Sequence, residues 1–233
     1  MRPVGGAERR VATTASVVTA VKELTPRVIR VRLGGDALRD VTAVPGQAVK
    51  IYVPDRAGVP VSRDYTVRAV TRDGLDIDFV LHGGGPAADW ARQARPGQLL
   101  EFVGPSGRYR PDPAADWHLF AGDDTALPAI QAMVEALPAQ TPVHAYVEIA
   151  DAAEEQPVGG RVVQWLHRGA ATPGTSPLLE DALRAAPLPP GRGRIWLAGH
   201  TPTVRRIRTQ LLDERRVDRR TLYVKGYWDR VGT

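Results

Sequence analysis

The chain changes its hydrophobic period about halfway along, and this change limits its folds more than any single motif. Through residue 103 the apolar residues recur at alternate positions. Val28-Ile29-Arg30-Val31-Arg32-Leu33, Val49-Lys50-Ile51-Tyr52-Val53, Tyr65-Thr66-Val67-Arg68-Ala69-Val70 and Leu75-Asp76-Ile77-Asp78-Phe79-Val80-Leu81 all read as strands. In the last of these, Leu75, Ile77, Phe79 and Leu81 form an apolar face opposite Asp76, Asp78, Val80 and His82. Turn clusters such as Gly34-Gly35-Asp36, Val44-Pro45-Gly46 and Asp73-Gly74 separate the strands, and Arg95-Pro96-Gly97-Gln98 leads into a further one at Leu99-Leu100-Glu101-Phe102-Val103. Short strands divided by Gly/Pro turns predict an antiparallel sandwich or barrel. A single helical segment, 85–94, interrupts them, with Pro86 at a first helical position preceded by glycines.

Beyond residue 116 the pattern alternates strand and helix. His118-Leu119-Phe120-Ala121 is followed by Leu127, Ile130, Met133, Val134 and Leu137 at helical spacing, with Asp124 or Thr125 as the expected N-cap. Val143 to Glu148 reads as a strand, 178–186 as a helix, and Ile195-Trp196-Leu197-Ala198 as a strand. A helix opened by Thr201-Pro202 and a strand at Thr221-Leu222-Tyr223-Val224 complete the series. Such alternation predicts a parallel sheet with helical crossovers. The stretch 108–116, with Pro111 and Pro113, is the expected boundary, dividing the chain into domains 1–112 and 113–233.

Composition narrows the chemistry. The chain has 233 residues and no cysteine, so it carries no disulfide framework, no thiol nucleophile and no Cys-ligated cluster. Its five histidines (His82, His118, His144, His167 and His200) show no metal-ligand spacing, and no protein metal site is expected. No apolar run suggests a membrane span, and the N-terminus has no apolar signal core, so a cytoplasmic protein without a membrane partner is expected. The net charge of +5 comes with three lysines and otherwise arginine, in a chain rich in Ala, Pro and Gly. Such usage fits GC-rich codon bias, and without a nucleic-acid-binding motif no nucleic-acid partner is expected. The Arg205, Arg206, Arg208, Arg215 and Arg216 group reads as the solvated face of an amphipathic helix. A monomer and a homodimer both remain open.

The stretch Ser62-Arg63-Asp64-Tyr65-Thr66-Val67-Arg68 carries the chemistry. Alternation puts Arg63, Tyr65 and Val67 on one strand face and Asp64, Thr66 and Arg68 on the other, unless a bulge intervenes. A guanidinium fork can hold a diphosphate while the nearby phenol ring packs on a flat heterocycle. A dinucleotide flavin has both features. Gly85-Pro86, a Gly-rich turn into a helix start, offers unpaired N–H groups to a phosphate. Taken alone, Arg63 and Arg68 are equally readable as solvated strand charges.

Six pieces, in order along the chain and including this stretch, give these residues a context. They are Arg63 to Arg68; Asp78-Phe79-Val80-Leu81-His82-Gly83 with Gly85-Pro86-Ala87 and Trp90; Ala121 to Ile130; Trp165-Leu166-His167-Arg168; Trp196-Leu197-Ala198-Gly199; and Gly226-Tyr227-Trp228. From about Val17 to Trp228 the chain resembles the siderophore-interacting protein family of FAD-dependent ferric-siderophore reductases. The resemblance implies an N-terminal antiparallel six-stranded FAD-binding β-barrel followed by a Rossmann-like α/β nucleotide-binding domain, the ferredoxin-reductase-like arrangement. Carried over by residue, it implies that Arg63 contacts the FAD diphosphate and Tyr65 packs on the isoalloxazine. Thr66 and Val67 would approach the polar edge of the ring. His82, Gly85, Pro86, Ala87 and Trp90 would line the diphosphate and ribityl region, and Asp123, Thr125 and Ala126 the adenine or ribose end. NADH or NADPH would reduce the flavin, which would pass single electrons to a ferric chelate. Fe(II) is the softer and less charged acceptor, so a hard-oxygen chelate releases it. Lys50, Arg108, Lys225 and Arg230 would form a basic rim for anionic chelates. The electron step needs no protein acid or base, so no catalytic residue is assigned.

The sequence departs from the family pattern at Asp124 and His200, where the family usually has glutamate, and after Trp228, where a basic residue is common. His200 falls at the C-terminal end of a predicted parallel strand, where ligands sit, and is an expected substrate-site residue. It motivates a second reading, an FAD enzyme acting on an organic substrate in a biosynthetic pathway. A non-catalytic FAD- or chelate-binding protein is the third. Tyr227 and Trp228 either face the site or cap the sheet.

Overall fold

The computed structural model describes residues 13–81 and 84–229. Strands β1 (Thr14–Thr25), β2 (Val28–Gly34), β3 (Ala48–Pro54), β4 (Pro60–Thr71), β5 (Gly74–Val80) and β6 (Leu99–Ser106) close into an antiparallel barrel in the order β1-β2-β5-β4-β3-β6. Register follows the apolar pattern, setting Val31 opposite Ile77 and Leu33 opposite Leu75. These four side chains, with Val49, Ile51, Phe79 and Phe102, are buried in the barrel interior. Helix α1 (Pro86–Gln93) packs on the barrel, and Ala87, Trp90 and Ala91 join its core.

Strand β5 is buried on both faces, which the alternation did not predict. Its outward carboxylates, Asp76 and Asp78, lie directly opposite Arg32 and Arg30 of β2 and form two-pronged ion pairs with them. A carboxylate so matched can lose its water where an unpaired one cannot.

The second half consists of β7 (Trp117–Asp123), α2 (Leu127–Glu135), β8 (Val143–Ile149), β9 (Val163–His167), α3 (Leu178–Ala185), β10 (Gly193–His200), α4 (Thr201–Thr209) and β11 (Leu222–Trp228). The sheet is parallel in the order β11-β10-β7-β8-β9. Leu127, Ile130 and Met133 of α2 cover one face, while Leu179 and Leu183 of α3 and Ile207 of α4 cover the other. Strand order reverses between β7 and β10, so the crevice of this sheet opens at their C-terminal ends. Gly122 is required there, because a Cβ would lie 2.3 Å from the Ala198 carbonyl oxygen.

Two strands escape the sequence pattern. β1 has register shifts after Val18 and after Glu23 that break its alternation, and β9 is a five-residue edge strand too short to show a period. The start of α2 also differs from expectation. Neither Asp124 nor Thr125 caps it. Ala126 is the N-cap, without a side-chain bond, and the preceding turn is closed by the Asp123 carboxylate.

The two halves are tied by polar contacts. Arg68 reaches from β4 to α2, where its guanidinium meets both Glu135 oxygens at 2.5 and 2.8 Å and Gln131 Oε1 at 3.1 Å. Thr25 Oγ1 donates to the buried Glu154 carboxylate at 2.5 Å. Among the described residues no helix is long and apolar enough to cross a membrane.

Candidate functional site

Between the barrel and the end of β11 lies a cleft of about 730 Å³, a volume in the range of cofactor sites. Its barrel wall is formed by consecutive β4 residues, Ser62 to Thr66, joined by Lys50 from β3. Its floor is Gly84, Gly85 and the start of α1. Thr125, Pro128 and the β11 end, Lys225 to Asp229, form the opposite wall.

Local structure explains the β4 wall. Tyr65 and Val67 turn together toward the barrel core, as alternation requires, while Asp64 pairs outside with Lys50 at 2.8 Å. A register shift between Val67 and Ala69 then releases Arg68 toward α2. Tyr65 lies against Phe79 with ring centroids 4.4 Å apart. Burial pushes its phenol up to about 12, against the opposing field of the Arg63 cation. Arg63 itself is exposed. Among the described residues its guanidinium bonds to the Ser62 carbonyl and joins no ion pair.

At the floor, Gly84 and Gly85 have φ of 105° and 131°, and a Cβ on either would meet only open space. Gly85 caps α1 without a side-chain bond, and Pro86 follows at the first helical position. The helix start therefore lies at the cleft with backbone N–H groups that no side chain caps among the described residues. A guanidinium outside any ion pair among the described residues, an open helix start and a half-buried phenol ring around one cofactor-sized cleft are a set of groups that fits a dinucleotide flavin.

On the opposite wall, burial strongly raises the Tyr227 phenol, with the nearby Thr66 hydroxyl pulling the other way. Lys225 Nζ lies 5.3 Å from the Tyr227 ring centroid. Trp228 donates from its indole nitrogen to Asp123 Oδ2 at 2.9 Å.

Arg63, Tyr65, Thr66, Gly85, Pro86, Ala87, Thr125, Lys50 and Lys225 thus line one cleft. Other expected site residues sit elsewhere. Val67 is in the barrel core, and its N–H is taken by the Gln47 carbonyl at 2.9 Å. Trp90 is a core residue packed on Phe79. Ala126 is fully buried beneath β7, and Arg108 is exposed on the connector outside the cleft. Asp123 is buried, and its carboxylate is used internally by Thr125, His200 and Trp228.

His200 is the largest departure. Its ring is buried behind the cleft, with Nδ1 3.0 Å from Thr203 Oγ1 and the Gly174 backbone close against it. A cavity of about 10 Å³, which Glu148 and Ser176 also line, stays open there. The imidazole and the loop above it fill the crevice at the strand-order reversal. His82 and Arg230 lie outside the described residues. The sequence reading left open whether Tyr227 and Trp228 face the site, and both line the cleft. Their signal was an aromatic pair ending the last parallel strand.

Antiparallel barrel and parallel α/β sheet together define a ferredoxin-reductase-like fold. Residues 53–109 match the siderophore-interacting FAD-binding domain and residues 115–231 the siderophore-interacting protein domain. The chain belongs to the siderophore-interacting protein family. It is 33% identical to the ferric vibriobactin reductase ViuB of Vibrio cholerae, over 90% of this chain and 86% of that protein. The structure of a siderophore utilization protein from T. fusca is 37% identical with a TM-score of 0.86, over 95% of this chain and 94% of that one. The siderophore-interacting protein SipS from Aeromonas hydrophila is 29% identical with a TM-score of 0.82, over 95% and 93%.

Proposed function

We propose that the protein is an FAD-dependent reductase that takes electrons from a nicotinamide nucleotide and delivers them to a ferric siderophore, releasing Fe(II). The observation that carries this reading is the cleft itself. It gathers Arg63, Tyr65 and the open start of α1 between the barrel and the C-terminal strand. Bound there, FAD would supply hydride acceptance on one side and single-electron release on the other. Arg63 and the N–H groups after Gly85 would oppose the diphosphate charge. Tyr65, neutral at any physiological pH, would offer a flat apolar face. Lys50 and Lys225 stand on opposite walls of the cleft, where they would draw anionic chelates.

Burial of His200 removes the observation that favoured an organic substrate, since the imidazole is not in the cleft to exchange a proton. Steady-state oxidation of NADH and NADPH by the FAD-reconstituted protein, with and without a ferric chelate, tests the reading. Turnover that depends on iron supports it. Flavin that stays oxidised with both nucleotides, or protein that refuses FAD, refutes it.

A further inference from the structure

Asp123 and His200 come from different strand ends, and both converge on Trp228. Asp123 Oδ2 accepts the indole N–H at 2.9 Å and the His200 backbone N–H at 2.8 Å. Its Oδ1 accepts Thr125 N at 3.0 Å and Thr125 Oγ1 at 2.5 Å. The carboxylate thus organises two residues, Thr125 and Trp228, that line the same cleft, while it does not line the cleft itself. Gly199 makes room for it. A Cβ there would lie 2.5 Å from Asp123 Oδ2, and φ is +135°. The His200 ring lies against the indole, centroids 4.6 Å apart and planes at 42°. It is itself held by Thr203 and backed by Gly174. A third contact, Thr201 Oγ1 to the Trp228 carbonyl at 3.0 Å, fixes the backbone of the same residue.

We propose that Asp123 and His200 are positioning residues that act through Trp228, holding its indole as a fixed wall of the cofactor cleft. This rests on the flavin reading of that cleft. It gives the histidine that departs from the family pattern a task other than proton transfer: an aromatic shelf for the indole. It also moves Asp123 from cofactor contact to support. Two carboxylate oxygens serve four donors, so an asparagine, with one carbonyl oxygen and an NH2 in place of the other, must abandon one pair.

The test uses 5-fluorotryptophan-labelled protein, first without FAD. The chain has five tryptophans, and W228F assigns the Trp228 fluorine signal. D123N and H200L, made separately so that poor folding of one leaves the other, are each expected to move and broaden that signal and leave the other four in place. After FAD loading, both variants should keep FAD affinity within about 3-fold while KM for ferric citrate rises. The rise should be about 10-fold in D123N, the scale of one lost hydrogen bond to a charged group. It should be smaller in H200L, which loses a ring contact and keeps its backbone N–H on Asp123. D123N/W228F should be no worse than W228F alone. An unmoved Trp228 signal in both variants overturns the proposal. So does an FAD affinity that falls more than about 10-fold in D123N but not in W228F, since the carboxylate would then act on the cofactor directly or through Thr125 rather than through Trp228. If wild-type protein binds no FAD, the flavin reading falls, and the fluorine spectra still decide whether Asp123 and His200 hold Trp228.

Discussion

Arg30 and Asp78 face each other across β2 and β5, with Nε and Nη2 2.6 and 2.8 Å from the two carboxylate oxygens. The Asp78 side chain is 1% exposed and lines the cleft. Removing the arginine therefore strands a buried charge beside the proposed diphosphate site. Arg30→Ala is expected to cost about 3 kcal/mol, while Arg30→Met with Asp78→Leu should cost much less, because both charges leave together. Urea denaturation of the two variants checks this. Equal losses would show that the cost lies in packing rather than in the stranded charge.

Arg30 and Asp78 illustrate what the sequence revealed. Alternation placed both residues on outward strand faces, and strand spacing predicted a sandwich or a barrel, with the six-stranded barrel implied by the family resemblance. Their mutual pairing depends on register, which no local pattern carries. The same limit applies to Arg68, readable as a solvated charge or a ligand contact until its partner Glu135 is found 67 positions away. Arg63 and Tyr65 were legible because one strand carries both. Trp90 was not, since a buried helix face and a ligand-facing one share a period. His200 sits where parallel strands end, the right place for a ligand residue. Only the fold of the loop above shows that Gly174 closes over it.

That closure depends on a missing side chain. A Cβ on Gly174 would lie 2.7 Å from His200 Nδ1, and its φ of 77° disfavours other residues. Gly174→Ala is expected to destabilise the protein by about 2 kcal/mol, from backbone strain and from overpacking of a ring that cannot retreat. Thermal unfolding measures the cost. A companion Gly160→Ala has φ of 70° but open space around its Cβ. It isolates the strain, so an equal loss in both would remove the steric part of the argument.

Arg63 carries the electrostatic half of the proposed cofactor grip. A two-pronged guanidinium contact with a diphosphate contributes on the order of 1.5–3 kcal/mol. Arg63→Ala should therefore weaken FAD binding about 10- to 100-fold, and Arg63→Lys by less, since it keeps the charge but loses the fork. Titration of flavin fluorescence at two salt concentrations provides the check. The wild-type affinity should fall with salt more steeply than that of the alanine variant. Parallel salt dependences would mean that Arg63 does not meet the diphosphate.

Glu148 ties stability to pH near neutrality. Burial pushes its carboxyl up to about 7, from an ordinary value of 4.5, with the nearby Asp123 and Asp124 adding to the rise. The Ser176 hydroxyl and Arg168 pull the other way without overcoming it. Between these two values the folded chain keeps a proton that the unfolded chain has released. The stabilisation from this group is complete below 4.5 and is lost as pH rises through 7, a change on the order of 3 kcal/mol. His118 acts in the opposite sense. Burial lowers its value from 6.5, so its neutral ring favours the fold above that pH and penalises it as acid is added. The wild-type curve mixes both slopes, and the comparison must be made against Glu148→Gln, which keeps the shape without the titration. The variant should gain over wild type steadily from pH 5 to about 7 and then level off in urea midpoint measurements. A difference that stays flat across that range would mean that Glu148 is already ionised in the folded protein at pH 5.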